Sequence, residues 1–222
     1  MTIHGAIPYP GVTYQEPPDF TLYGDGHAIY KGNRPRELAH AQLTESQIQQ
    51  VISRALDEGR LLDARPEYGD VPVTDMETTV FEINARAVRR TVSGYALGWD
   101  QYTGPDPEIR IALEALRIYL QRFVSVVDTG GAADLGAYQP AAYQAELVTP
   151  WWGEAEPNAP WPWPQFAAAD FKADANMRVR TVSPEQAEAV LEIEIENTVV
   201  ARAPEGDEYV LRVRPLLPDQ HP

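Results

Sequence analysis

Apolar positions along the chain follow two periods. Over residues 44–59, TESQIQQVISRALDEG, Ile48, Val51, Ile52, Ala55 and Leu56 recur every three or four residues and so share one helical face. Thr44 and Gln47 make a capping box at its start, and Gly59 is the expected stop. A second helix is predicted over about 106–125. Asp106 stands at its cap and Pro107 at its first position, and Ile109, Leu113, Leu116, Leu120 and Phe123 form its stripe. Ser183-Pro184-Glu185-Gln186 is another capping box and opens a third helix running to about Glu196. The run 191–196, LEIEIE, fits strand alternation as well.

The shorter period marks strands. Phe20–Tyr23 and His27–Tyr30 flank Gly24-Asp25-Gly26, where glycine tolerates the positive φ of a tight hairpin. Thr79, Phe81 and Ile83 alternate with polar or exposed positions, as do Val88, Arg90 and Val92, and Asn84-Ala85-Arg86 supplies a turn between them. Further strands are expected within 141–150 and at Val199–Ala203 and Tyr209–Val213, the last two around the turn Pro204-Glu205-Gly206-Asp207. The expected fold is α+β, built of antiparallel hairpins with helices packed on one sheet face. The first half reads strand-strand-helix twice over. Residues 1–18, rich in Pro, Gly and Tyr, read as an extended lead-in. Residues 19–127 hold the repeat, 128–137 read as a linker, and 138–222 as a second α+β domain or subdomain.

Composition narrows the function classes. A chain of 222 residues suits one large domain or two small ones. Its net charge of −15 is spread along both halves, so it repels phosphate backbones and anionic lipid, and a nucleic-acid partner is excluded. No cysteine is present, which removes disulfides, thiolate nucleophiles and Cys-ligated zinc. No apolar run reaches the ~20 residues of a transmembrane segment. The first residues, MTIHG, carry no leader pattern. Location therefore reads two ways: envelope or extracellular if a leader was trimmed, cytoplasmic if Met1 is the native start.

Candidate chemistry is sparse. Gly24-Asp25-Gly26 lacks the spaced oxygen ligands of a calcium loop and reads as a turn. Asp70, Asp75 and Glu77, like Asp100 and Glu108, read as solvated loop acids. His4, His27, His40 and His221 show no metal-ligand spacing, and neither a serine-nucleophile signature nor a phosphate-cradling loop occurs. No catalytic, cofactor-binding or metal-ligating residue is therefore assigned, and no cofactor is expected. The feature above background is 151–166, WWGEAEPNAPWPWPQF. Its prolines exclude a helix or central strand, and Trp151, Trp152, Trp161 and Trp163 present four indoles. These indoles are the candidate interaction surface, for a protein or carbohydrate partner. The alternative is that they cover a sheet internally, as large aromatics mostly do.

Several stretches resemble an uncharacterised bacterial family of exported, often lipoprotein-type proteins. They are FTLYGDG at 20–26, Val73-Thr74-Asp75 with Thr78-Thr79, YALG at 95–98 and RPLLPD at 214–219. The first half also resembles a small envelope-protein domain of unknown function. The resemblance implies an envelope association and no chemistry. The cysteine pair of that family's second half is missing here. The function expected from the sequence is a non-enzymatic interaction or ligand-binding module associated with the cell envelope. The alternatives are a carboxylate-based hydrolase with a Trp-lined cleft, or a structural subunit of a larger assembly.

Overall fold

The computed structural model describes residues 1–6, 17–34, 37–150, 156–174, 177–194 and 199–220. It is α+β, with four α-helices and two mostly antiparallel sheets of eight and five strands among the described residues. The described chain divides into two units, residues 1–6 with 17–138 and residues 139–220.

The first unit contains β1 (Thr2–Ala6), β2 (Phe20–Leu22), β3 (His27–Lys31), β4 (Leu38–Gln42), α1 (Glu45–Ser53), β5 (Glu67–Tyr68), β6 (Thr78–Ala85), β7 (Val88–Tyr95), α2 (Pro107–Gln121), α3 (Phe123–Asp128) and β8 (Ala133–Ala137). The sheet order is β5-β7-β6-β1-β2-β3-β4-β8, with only β5–β7 parallel. Both expected hairpins form, β2–β3 and β6–β7. Besides the two-residue β5, three segments depart from expectation. The lead-in supplies β1, a central strand between β6 and β2. The polar loop before α1 holds β4, and the linker holds β8. Each is short and built largely of Ala, Gly, His or Asp, so its alternation carries little hydrophobic contrast.

Helices α1 to α3 cover one face of this sheet. The predicted stripe residues Ile48, Val51, Ile52, Ile109, Leu113, Leu116, Leu120 and Phe123 are all buried in one core with Phe20, Tyr30 and Phe81. Each fully buried apolar side chain of this kind stabilises by about 1.5–3 kcal/mol. The α1 capping box is present, with the Thr44 N–H donating to Gln47 Oε1 at 2.8 Å. The first helix does not run regularly to Gly59. Residues Arg54–Glu58 form a wider π turn, closed by the Gly59 N–H on the Arg54 carbonyl at 2.7 Å. Asp106 does not cap α2 with its side chain. It sits in the left-handed region, φ 56°, and its carboxylate lies 3.0 Å from Arg65 Nε instead. The expected second helix is broken at Arg122 into α2 and α3.

Two turns carry the sequence constraints of the hairpins. Gly24-Asp25-Gly26 is the β2–β3 turn. Asp25 Oδ1 accepts the His27 N–H at 3.0 Å, and Gly26 has φ 86°. A Cβ at Gly26 would stand 2.4 Å from the Leu43 carbonyl oxygen, so both conformation and space require glycine. In the β6–β7 hairpin Ala85 pairs with Val88, which leaves Arg86 and Ala87 as a two-residue loop with φ 50° and 61°. Both are in the left-handed region without being glycine, as a type I′ turn demands. Ala87→Gly should therefore stabilise the first unit by about 0.5–1 kcal/mol, relief of left-handed strain exceeding the added chain entropy. Urea unfolding checks the sign, and a destabilised variant would contradict it.

The second unit contains β9 (Tyr143–Val148), β10 (Lys172–Asp174), β11 (Met177–Val182), α4 (Pro184–Glu194), β12 (Val199–Arg202) and β13 (Glu208–Pro215), in sheet order β10-β11-β9-β13-β12. The third predicted helix is α4. It packs on this second sheet through Ala187 and Val190, so the predicted helices serve two sheets. Its capping box forms: the Ser183 N–H donates to Gln186 Oε1 at 2.9 Å. Strands β10 and β11 were not expected. In β11 the arginines occupy the positions facing the aromatic side, with the Arg180 guanidinium 3.8 Å from the Phe166 ring centroid and Arg178 donating to the Phe171 carbonyl. Cationic heads with apolar stems there conceal the usual strand pattern.

Candidate functional site

Four of the five tryptophans belong to the Pro-rich segment that stands out in the sequence. Trp151 and Trp152 lie outside the described residues. Trp163 is fully buried and Trp161 half-buried, and they meet edge to face at a centroid distance of 5.5 Å. Trp163 also packs against Phe171 at 5.4 Å. Both indole N–H groups are used internally. Trp161 Nε1 donates to the carbonyls of Trp163 and Phe166 at 2.9 and 2.8 Å, and Trp163 Nε1 donates to the Gln186 carbonyl in the first turn of α4 at 2.9 Å. Saturated donors and T-shaped neighbours describe core packing for these two indoles. Just upstream, Asn158 fastens the extended segment along β12. Its N–H donates to the Val200 carbonyl at 2.9 Å, and its Oδ1 accepts the Val200 N–H at 2.8 Å.

A carboxylate site would need clustered acids with raised pKa beside those indoles. Burial holds the Glu146 carboxyl above its ordinary range. Arg214 Nε at 3.4 Å and Gln144 Nε2 at 3.1 Å oppose that shift. Glu146 follows the alternation of Val148, on the sheet face opposite Ala145 and Leu147, which pack with Trp163. The raised carboxyl and the indoles therefore do not converge. Among the described residues, no three His, Asp or Glu side chains converge closely enough to hold a metal ion.

Convergence does occur on the helical side of the first unit. Arg54, Ile118, Tyr119, Arg122, Ser125, Val126 and Thr129 line an open groove of about 460 Å³, within the size range of ligand sites. Local backbone irregularities position them. Arg54 opens the π turn, a feature that recurs at functional sites, and its guanidinium carbon lies 4.1 Å from the Tyr119 ring centroid. Arg122 stands at the α2–α3 break and Thr129 at the end of α3. Tyr119 meets the buried Phe123 edge to face at 6.2 Å, and burial pushes the Tyr119 hydroxyl pKa up against the opposing pull of Arg54.

The charge of the groove is opposite to that of the chain. Two guanidiniums line it, and Arg54 Nε is paired with Glu58 at 3.3 Å, a carboxylate that is 70% exposed. Arg122 is exposed and has no carboxylate partner among the described residues. Thr129 Oγ1 spends its proton on the Ser125 and Val126 carbonyls at 2.9 and 3.1 Å. One apolar strip leads away. Ile118 is 39% exposed and Ile111 71% exposed, seven residues apart on the same side of α2, with exposed Ala115 between them. Over ~10 Å the helix thus presents methyl groups to solvent and ends at two cations. No family model, curated protein or solved structure matches the chain.

Proposed function

We propose that the protein is a non-enzymatic ligand-binding module whose groove takes an amphipathic anion. The acidic head, a carboxylate or phosphate ester, sits between Arg54 and Arg122, and its apolar tail lies along Ile118 and Ile111. The observation that supports this is the pairing of two guanidiniums with an exposed apolar strip on a chain of net charge −15. Association with the cell envelope, implied by the resemblance in sequence, belongs to the same proposal, since a lipid-derived acid has this shape.

Calorimetric titration with decanoate tests it, with decylamine as the control of opposite charge. Decanoate is expected to bind and decylamine not. Arg122→Glu, at an exposed position, should weaken decanoate about ten-fold or more, a loss of ~1.4 kcal/mol. Equal binding of the two amphiphiles, or an unchanged affinity in the variant, would contradict the reading.

A further inference from the structure

On the opposite face of the same sheet two histidines meet. His27 Nε2 and His40 Nδ1 are 3.0 Å apart on the neighbouring strands β3 and β4. Their ring centroids are 5.2 Å apart, close to the N···N distance plus two ring radii, so the nitrogens point at one another along one line. That is the geometry of an N–H···N hydrogen bond, in which one ring donates and the other accepts. Two metal-directed lone pairs would instead converge on a third point.

The pair sits where strand β8 is held. Tyr138, the residue after β8, packs edge-on against His40 at 5.8 Å and tilts against His27 at 6.5 Å. Its N–H donates to the Leu38 carbonyl at 2.8 Å. Among the described residues, strand β8 is an edge strand, exposed at all five residues and paired only with β4. Its ladder is interrupted by a register shift at His40/Ala41, and Gly136, φ 87°, stands across from His40. An exposed edge strand with an interrupted ladder opens at lower cost than a central strand.

We infer that His27 and His40 form a proton-operated latch on β8: the N–H···N bond between the rings keeps Tyr138 clamped to the sheet, and protonation of both rings opens it. The neutral pair and the singly protonated pair both keep this bond, whereas the doubly protonated pair sets N–H against N–H on the same line and two like charges side by side. Among the described residues, the surrounding groups do not neutralise that charge. The β2–β3 turn supplies Tyr23, stacked on His27 at 6.1 Å, and Asp25, whose carboxylate favours His27 protonation but is tied to the His27 N–H. Farther along β3, Lys31 is bound to Asp19 at 2.6 Å, and β4 adds the neutral Gln42, bound to the Asp25 carbonyl. Burial first, and His40 second, hold the His27 pKa below its ordinary value, with Asp25 opposing. Because the folded value lies below the unfolded one, the stabilisation is complete above the unfolded pKa of ~6.5. It is lost as pH falls from there through the folded value.

Hydrogen exchange on the full chain at pH 7.5 and 5.0, corrected for intrinsic rates, tests the latch, together with an NMR titration of the imidazoles. The Tyr138 amide is expected to lose about ten-fold or more of its protection at pH 5.0, while the β2–β3 amides keep theirs. In His40→Phe, which retains a ring against Tyr138 but cannot accept a proton, that loss should vanish. Should the variant fail to fold, the wild-type histidines decide. Coupled titration with the second proton displaced downward supports the latch. Two independent titrations at ordinary values, unchanged Tyr138 protection, or the same loss in His40→Phe would overturn it.

Discussion

Trp163→Ala should lower the unfolding free energy of the second unit by about 3–5 kcal/mol, the range for deleting a fully buried large aromatic. Trp163 has no exposed surface, and its ring holds Trp161 and Phe171 at 5.5 and 5.4 Å. Its Nε1 is also the donor that ties the Pro-rich segment to the Gln186 carbonyl of α4. The deletion thus opens a cavity and releases a link between segment and helix. Trp163→Phe should cost less, because most of the volume stays and the main loss is the single hydrogen bond. Urea unfolding followed by circular dichroism reads both variants. A cost under ~1 kcal/mol for the alanine would mean that the segment is dispensable to the core.

Arg110→Ala should be comparably severe in the first unit, on the order of 3–5 kcal/mol. Arg110 is 3% exposed, a level rare for arginine. Its Nη2 donates to the Tyr95 carbonyl at 2.7 Å and to the Ala96 carbonyl, and its guanidinium carbon lies 4.5 Å from the Tyr102 ring centroid. Burial lowers its pKa, with Tyr102 and Glu114 pulling the other way. The two carbonyls belong to the turn leaving β7, where Ala96 has φ 49°. Truncation takes the side-chain donor from the Tyr95 carbonyl, at ~1–3 kcal/mol, leaves the Ala96 carbonyl with the Trp99 N–H at 3.1 Å, and removes the stacked contact and the buried stem. Arg110→Lys should recover part of the loss, since an ammonium can serve a carbonyl but cannot stack as a plane. A near-neutral Arg110→Ala in urea unfolding would show that the turn is held by other means.

The sequence was most informative where local chemistry and tertiary packing agree. Thr44 with Gln47 and Ser183 with Gln186 formed the capping boxes that their spacing predicts, and the apolar stripes of α1 and α2 became the core. Asp106 was misread because a cap residue can be claimed by a tertiary partner, here Arg65. Strands β1, β4 and β8 were hidden by small and polar residues, and β11 by arginines that cover aromatic rings. The groove was scarcely legible. Arg54, Arg122 and Thr129 come together only because a π turn and a helix break aim them at one place. The available signal was Ile111 with Ile118, apolar and seven residues apart but off the buried stripe. The His27–His40 pair was likewise invisible without β4, because register brings the two rings together.

The proposed function stands on ligand binding in the groove. Adding decanoate to the isotope-labelled protein and following backbone amide shifts tests this most directly, because it reports place as well as affinity. The expected result is saturable shifts confined to Ile111, Ile118, Arg122, Val126 and Thr129, with Trp161 and Trp163 indole signals unmoved. Shifts centred on the indoles, or none at these α2 and α3 positions up to millimolar decanoate, would contradict it.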